Sequence, residues 1–169
     1  MKKIIIIGCP GSGKTTFAAK LAAKANIPLI HLDAIWHKPD RTHITRAEFD
    51  EKLAEIVSAD RWIIDGNYSR TVELRMAMCD TVFLFDLPAE VCIQGAKQRV
   101  GKERSDLPWV DTELDSNLRR EIEEFPQKHL PELYTLIRKY GREKQVVVFR
   151  TREEAEEYLR RYAKSECRM

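Results

Sequence analysis

The sequence predicts an α/β protein, a three-layer α/β/α sandwich on a parallel five-stranded sheet. Three observations predict it. Short apolar runs at 3–7, 28–31, 62–64, 82–85 and 145–149 are continuous rather than alternating, the pattern of strands buried on both faces. Longer stretches of helical periodicity separate them, so consecutive strands are joined by right-handed crossovers and ligands belong at the carboxyl ends of the strands. The 169 residues, 43% of them hydrophobic, suit one compact domain.

Each element has its own warrant. After the strand at 3–7, Lys14–Ala25 places Phe17, Leu21 and Ala25 at helical spacing. The strand at 28–31 is followed by Thr45-Arg-Ala-Glu48, a capping box opening a helix that runs to about Ser58. Strands at 62–64 and 82–85 come next. Thr112 with Asp115 repeats the capping pattern and starts a polar helix that Pro126 is expected to end or kink. Gly141 is expected to cap the helix before the strand at 145–149, and Thr151 with Glu154 opens the terminal helix. One segment breaks this rhythm: GKERSDLPWVD, 101–111, carries charge, Gly and Pro but no core periodicity. It reads either as a long surface loop or as a mobile lid-like insertion at about 100–112.

Composition removes several function classes. Lys plus Arg number 29 against 27 Asp plus Glu, a net charge of +2, which argues against the basic footprint of a phosphate-tracking nucleic-acid binder. The longest purely apolar run, 4–7, is far short of a membrane span. Cys9, Cys79, Cys92 and Cys167 form no Cys-x-x-Cys pair, so neither a zinc site nor a disulfide framework is expected, and a reducing cytoplasm is the simplest setting.

The chemistry concentrates at Gly8-Cys-Pro-Gly-Ser-Gly-Lys14-Thr15. This matches Gly-x-x-x-x-Gly-Lys-Ser/Thr between a strand and a helix, the context a phosphate-binding loop requires. Gly8, Gly11 and Gly13, with Pro10 between them, let the backbone curl so that N–H groups point inward, while the helix N-terminus adds its positive dipole end. Lys14 is placed to reach the β- and γ-phosphates of ATP, and the Thr15 hydroxyl is a hard oxygen ligand for Mg²⁺. Ser12 and Thr16 offer further hydrogen bonds or caps. Cys9 lies inside the loop, but with no second cysteine evident beside it, it reads as a small loop side chain.

Beyond the loop, Asp65-Gly-Asn-Tyr-Ser-Arg70 resembles the Asp-Gly-Phe-Pro-Arg signature of adenylate kinases and other nucleoside monophosphate kinases. The combination GCPGSGKT, PLIHLDAIW, WIIDGNYSRT and FDLPAEVC more closely resembles the adenylate-kinase-like bacterial DNA topology modulation proteins. The resemblance implies a P-loop kinase with strand order 2-3-1-4-5 and a short lid. It also implies that ATP and Mg²⁺ serve transfer to a nucleotide or small-molecule acceptor. Composition offers nothing for direct DNA contact, although a nucleotide-dependent regulator of DNA topology that phosphorylates no acceptor is the alternative the family name suggests.

Site roles follow. Asp65 joins Thr15 on the metal. Arg70 is either a bidentate clamp on phosphate or a surface ion pair. Asp33, after the second strand, either accepts a proton from an acceptor hydroxyl or caps a helix. Trp36 stacks on an acceptor base or packs in the core. Arg99 with Lys102 and Arg104, and Arg119 with Arg120 beyond the insertion, either neutralise the transferring group under a lid or form solvated helix charges. Gly95 stands where adenylate kinases place a lid arginine, so one clamp position is missing.

Overall fold

The computed structural model describes residues 1–166, with side chains through 162. The fourth cysteine of the sequence, Cys167, lies outside them. Among the described residues no helix is long and apolar enough to cross a membrane.

Five parallel strands form one sheet: β1 (Lys3–Gly8), β2 (Leu29–His31), β3 (Trp62–Asp65), β4 (Thr81–Phe85) and β5 (Gln145–Phe149), in the order β2-β3-β1-β4-β5. The register runs Ile6 opposite Asp65 on one side and Phe83 on the other. Ile4, Ile5, Ile6 and Ile7 are fully buried, because helices cover both faces of a central parallel strand. Phe17 packs edge-on against Phe83, Phe85 and Phe149, with ring centroids 5.0, 5.4 and 5.2 Å away. These contacts lock the first helix, α1 (Lys14–Ala25), onto β4 and β5.

The remaining helices are α2 (Leu32–Trp36), α3 (Arg46–Ser58), α4 (Ser69–Met78), α5 (Ala89–Lys97), α6 (Ser116–Lys128), α7 (Leu130–Tyr140) and α8 (Arg152–Glu166). Thr45 and Glu48 form the expected capping box of α3, and Glu154 reaches back to Thr151 at the start of α8. Three expectations are corrected. The cap of α6 is Asp115 alone, its Oδ1 accepting from Asn117 and Leu118 at 2.9 Å each, without Thr112. Pro126 sits inside α6, which runs two residues further and breaks at His129, the residue joining α6 to α7. Gly141 follows α7 in a right-handed conformation, φ −79°, and leads into a single 3₁₀ turn, so it supplies no left-handed cap.

Candidate active site

β1 ends in a loop that turns on three glycines of positive φ: Gly8, Gly11 and Gly13, at 134°, 79° and 106°. Gly8 lies beneath the loop. Its N–H donates to Asn67 Oδ1 at 2.9 Å, and its carbonyl accepts from Asn67 Nδ2 at 2.8 Å. One amide side chain thus imitates the strand partner that β3 no longer provides. Gly11 presses on α5, where an added Cβ would stand 2.1 Å from the Cys92 carbonyl oxygen. Cys92 also corrects the reading of Cys9 as isolated: the Cys9 thiol hydrogen-bonds toward the Cys92 thiol, and this bond together with burial holds its pKa far above the usual range.

A cavity of about 1140 Å³ opens above the loop, lined by Pro10, Gly11, Ser12, Gly13, Lys14, Thr15 and Thr16. Lys14 is 8% exposed and donates to the Cys9 carbonyl at 2.7 Å. Burial pulls its pKa below the usual lysine range, against the opposing pull of Asp65. Among the described residues, six buried side-chain nitrogen or oxygen atoms have no hydrogen-bond partner, and four belong to cavity-lining residues: Ser12 Oγ, Asp65 Oδ1, Arg99 Nε and Arg152 Nε. Such orphans cost on the order of 1–3 kcal/mol each, so their gathering in one place points to a polar ligand. Positive-φ glycines, a buried lysine and an unpartnered serine hydroxyl fit a polyphosphate. Thr15 Oγ1, 2.9 Å from Asp65 Oδ2, together with the free Asp65 Oδ1, fits a divalent cation.

Opposite the loop, the chain leaves β2 and enters α2, which carries Asp33 in its first turn. Asp33 lines the cavity and accepts a 2.8 Å hydrogen bond from Tyr68. Burial raises its pKa, only partly offset by that bond, and Asp106 and Asp65 push the same way. Tyr68 is held at φ 42° at the start of α4, stacked on Phe49 with centroids 5.1 Å apart. His31 Nδ1–H donates to Asp65 Oδ2 at 3.1 Å. Burial opposes its charge, but this contact and the surrounding carboxylates prevail and raise its pKa.

The 101–111 segment is an irregular loop closed at its base by Gly101 N–H donating to the Asp111 carbonyl at 2.8 Å. It folds over the site. Asp106 is 3% exposed, accepts two hydrogen bonds from Arg104 at 2.9 and 2.6 Å, and lies 3.5 Å from Thr15 Oγ1. Trp109 takes Arg41 on its face at 5.6 Å and His37 on its edge. Arg99 lines the cavity, its pKa lowered by burial and by neighbouring Arg104.

Several anticipated groups are not brought here. Arg70 points outward and forms a two-pronged pair with Asp50 at 2.8 and 2.7 Å, both side chains nearly half exposed. The arginine that serves this loop is Arg75, fully buried, donating to the carbonyls of Gly66, Asn67 and Tyr68. Helical geometry separates the two: Val72, Arg75 and Met76 share the inward stripe of α4, and Arg70 does not. That periodicity was the available signal. The same logic places Arg119 and Arg120 outside, Arg119 pairing with Glu123 at 2.9 Å, while Leu118, Glu121 and Phe125 of α6 line the cavity. Trp36 is stacked on His43 at 4.4 Å and met edge-on by Phe49 and Tyr68, so its ring is already covered.

Gly95 makes room. A Cβ there would lie 2.1 Å from the Gly11 carbonyl oxygen and 2.2 Å from Arg152 Nη2. Arg152 fills that notch and donates to the carbonyls of Gly11 and Val91 at 3.0 and 3.2 Å. An arginine from α8 therefore stands beside the position where an adenylate-kinase arginine was expected from α5.

No family model and no curated protein matches the chain. Solved structures do. Shikimate kinase from Acinetobacter baumannii in complex with shikimate is 16% identical, with a TM-score of 0.62 over 98% of this chain and 94% of that one. A sugar kinase from Janibacter sp. HTCC2649 is 17% identical, TM-score 0.56, over 97% and 93%. A gluconokinase from Sinorhizobium meliloti 1021 is 15% identical, TM-score 0.53, over 99% and 92%. The fold is that of the P-loop kinases.

Proposed function

We propose that the protein transfers the γ-phosphoryl group of ATP to a hydroxyl of a small, polyhydroxylated acceptor. The observation that carries this reading is Asp33: a carboxylate with raised pKa, oriented by Tyr68, facing the phosphate loop across one cavity. A raised pKa makes a carboxylate a better general base, and a fixed hydrogen bond on Oδ1 leaves its second oxygen for the acceptor. A nucleotide acceptor is less well served, since Trp36 is covered and Arg70 is engaged with Asp50. The likeness to a shikimate kinase in complex with shikimate and to a gluconokinase supports a hydroxyl acceptor. The chain's motif resemblance to the DNA topology modulation proteins is its proposed affiliation and leaves this chemistry unchanged.

In this reading the loop amides, Ser12 and Lys14 hold the triphosphate, and Thr15 with Asp65 would hold Mg²⁺. When bound, that ion would neutralise charge on the terminal phosphates. Arg99, whose Nε has no acceptor, neutralises the transferring group. Asp33 accepts the proton of the attacking hydroxyl.

The test is MgATP turnover with a panel of sugars, polyols, hydroxy acids and nucleoside monophosphates. One hydroxyl compound should stimulate ADP formation, and Asp33→Asn should lower that stimulated rate by about 10²–10⁴-fold. ADP release that no acceptor accelerates would end the kinase reading.

A further inference from the structure

The 101–111 loop was expected to contribute positive charge over a transferring phosphate, yet its most buried side chain is an acid. Asp106 is inserted to 3% exposure, beside the hydroxyl of Thr15. Asp65 approaches the same hydroxyl from β3 at 2.9 Å, and its Oδ1, buried with Asp65 at 5% exposure, has no partner. Thr15 has one proton to give. Two carboxylates thus flank one hydroxyl; His31 Nδ1 meets Asp65 Oδ2 at 3.1 Å and Arg104 holds both Asp106 oxygens, which leaves Asp65 Oδ1 as the buried oxygen without a donor among the described residues.

Mg²⁺ and Mn²⁺ take oxygen ligands and commonly use one or two carboxylates with water and phosphate completing the shell. Resting on the kinase reading, we propose that Asp106 is a second carboxylate for the divalent cation at Thr15 and Asp65, and that the cation competes with Arg104 for it. Arg104 now occupies both Asp106 oxygens, at 2.9 and 2.6 Å, and also approaches Asp111 at 3.6 Å. A cation drawing on Asp106 weakens that pair and leaves Arg104 a donor within the same cavity as Lys14 and Arg99. The loop thereby ties metal arrival to the release of an arginine. Its anchors do not depend on Asp106: the Gly101–Asp111 backbone bond, Trp109 donating to Asp111 at 3.0 Å, and Arg41 over Trp109 hold the rest of it.

The experiment is a Mn²⁺ titration of the full chain without nucleotide, followed by the loss of the free-ion electron paramagnetic resonance signal. Asp65→Asn and Asp106→Asn should each weaken Mn²⁺ binding about tenfold or more. Arg104→Gln should move it the other way, because it removes the competitor. Unchanged binding in Asp106→Asn overturns the proposal, as does Arg104→Gln weakening binding, which would mean that the pair only docks the loop. If Asp65→Asn alone weakens binding, the loop inference fails while the Thr15–Asp65 site stands. If the parent chain binds no Mn²⁺, this inference is overturned as well, and the acceptor-stimulated ADP assay decides the kinase reading separately.

Discussion

The two ends of the sheet are built to opposite rules. At the amino end, polar groups are spent on each other. Asp80 accepts from the Lys2 and Lys3 amides at 2.6 and 3.1 Å and from the Thr81 hydroxyl at 2.7 Å. Its own backbone links to Lys3 and Gln145, so one residue ties the starts of β1, β4 and β5. Lys144 donates to the carbonyls of Cys79 and Ala77 at 2.5 and 3.2 Å, closing the end of α4. At the carboxyl end, Ser12, Asp65, Arg99 and Arg152 each keep a buried atom without a partner, around a cavity rather than a packed joint. The amino end closes its hydrogen bonds internally, and the carboxyl end leaves several open around the cavity. Trp62 Nε1, buried and unpartnered at the amino end, departs from the pattern, and nothing in the structure explains it.

The contrast breaks most sharply at Lys14. Lys14→Ala should lower turnover by on the order of 10²–10³-fold, the usual loss of a charge-stabilising donor. The thermal midpoint should hold or rise, since the lysine is a buried charge facing one carbonyl. Steady-state kinetics beside a melting curve check both halves. A large fall in melting temperature would show that the carboxyl end was contributing to stability after all.

Next in size is Gly95. Because the Gly11 carbonyl is backbone and cannot swing aside, Gly95→Ala should displace the phosphate loop or Arg152. Overpacking costs about 1–3 kcal/mol, here read as weaker ATP binding in a fluorescent-nucleotide titration. Gly95→Arg, which restores the adenylate-kinase residue, should be worse rather than corrective.

How far the sequence carried depended on the kind of regularity involved. The strands and α1 were legible because continuous apolar runs and helical spacing are local signals of burial. Lys14 and Thr15 were legible because a phosphate loop is a contiguous motif with a fixed geometry. Arg70, Arg119 and Arg120 stayed open between a phosphate clamp and a surface charge because a motif position says nothing about which side of a helix faces inward; the stripes Val72-Arg75-Met76 and Leu118-Ile122-Phe125 favour the surface charge. Asp106 and the Cys9–Cys92 contact were not legible at all. They depend on how an aperiodic loop and α5 fall across residues ninety or eighty positions earlier.

Asp80 sharpens the other side of the comparison. Burial disfavours its charge, but the Thr81 hydroxyl and the two amides outweigh this and hold its pKa below the usual 3.8. A depressed carboxylate contributes stability that is fully present above 3.8 and is lost as pH falls through the lower folded value. Asp80→Asn should therefore lower the melting temperature at neutral pH and flatten the parent's acid-side decline, leaving ATP binding intact. Equal slopes on the acid side in both proteins would remove Asp80 from that role. The smallest effect is expected at Arg70, whose exposed pair with Asp50 lies outside both regions: Arg70→Ala should leave turnover unchanged, and a hundredfold loss would return it to the site.

The stretch just past β3 carries one further implication. Asp65 accepts from the Thr15 hydroxyl, Asn67 holds Gly8 by both backbone groups, Tyr68 donates to Asp33, and Arg75 clasps the carbonyls of Gly66, Asn67 and Tyr68. In the proposed reaction, three residues within the four positions 65–68, braced by Arg75, thus set the spacing between donor, metal and acceptor. A rigid shift of that short stretch would displace all three positions together, which would give the proposed reaction a single point of adjustment.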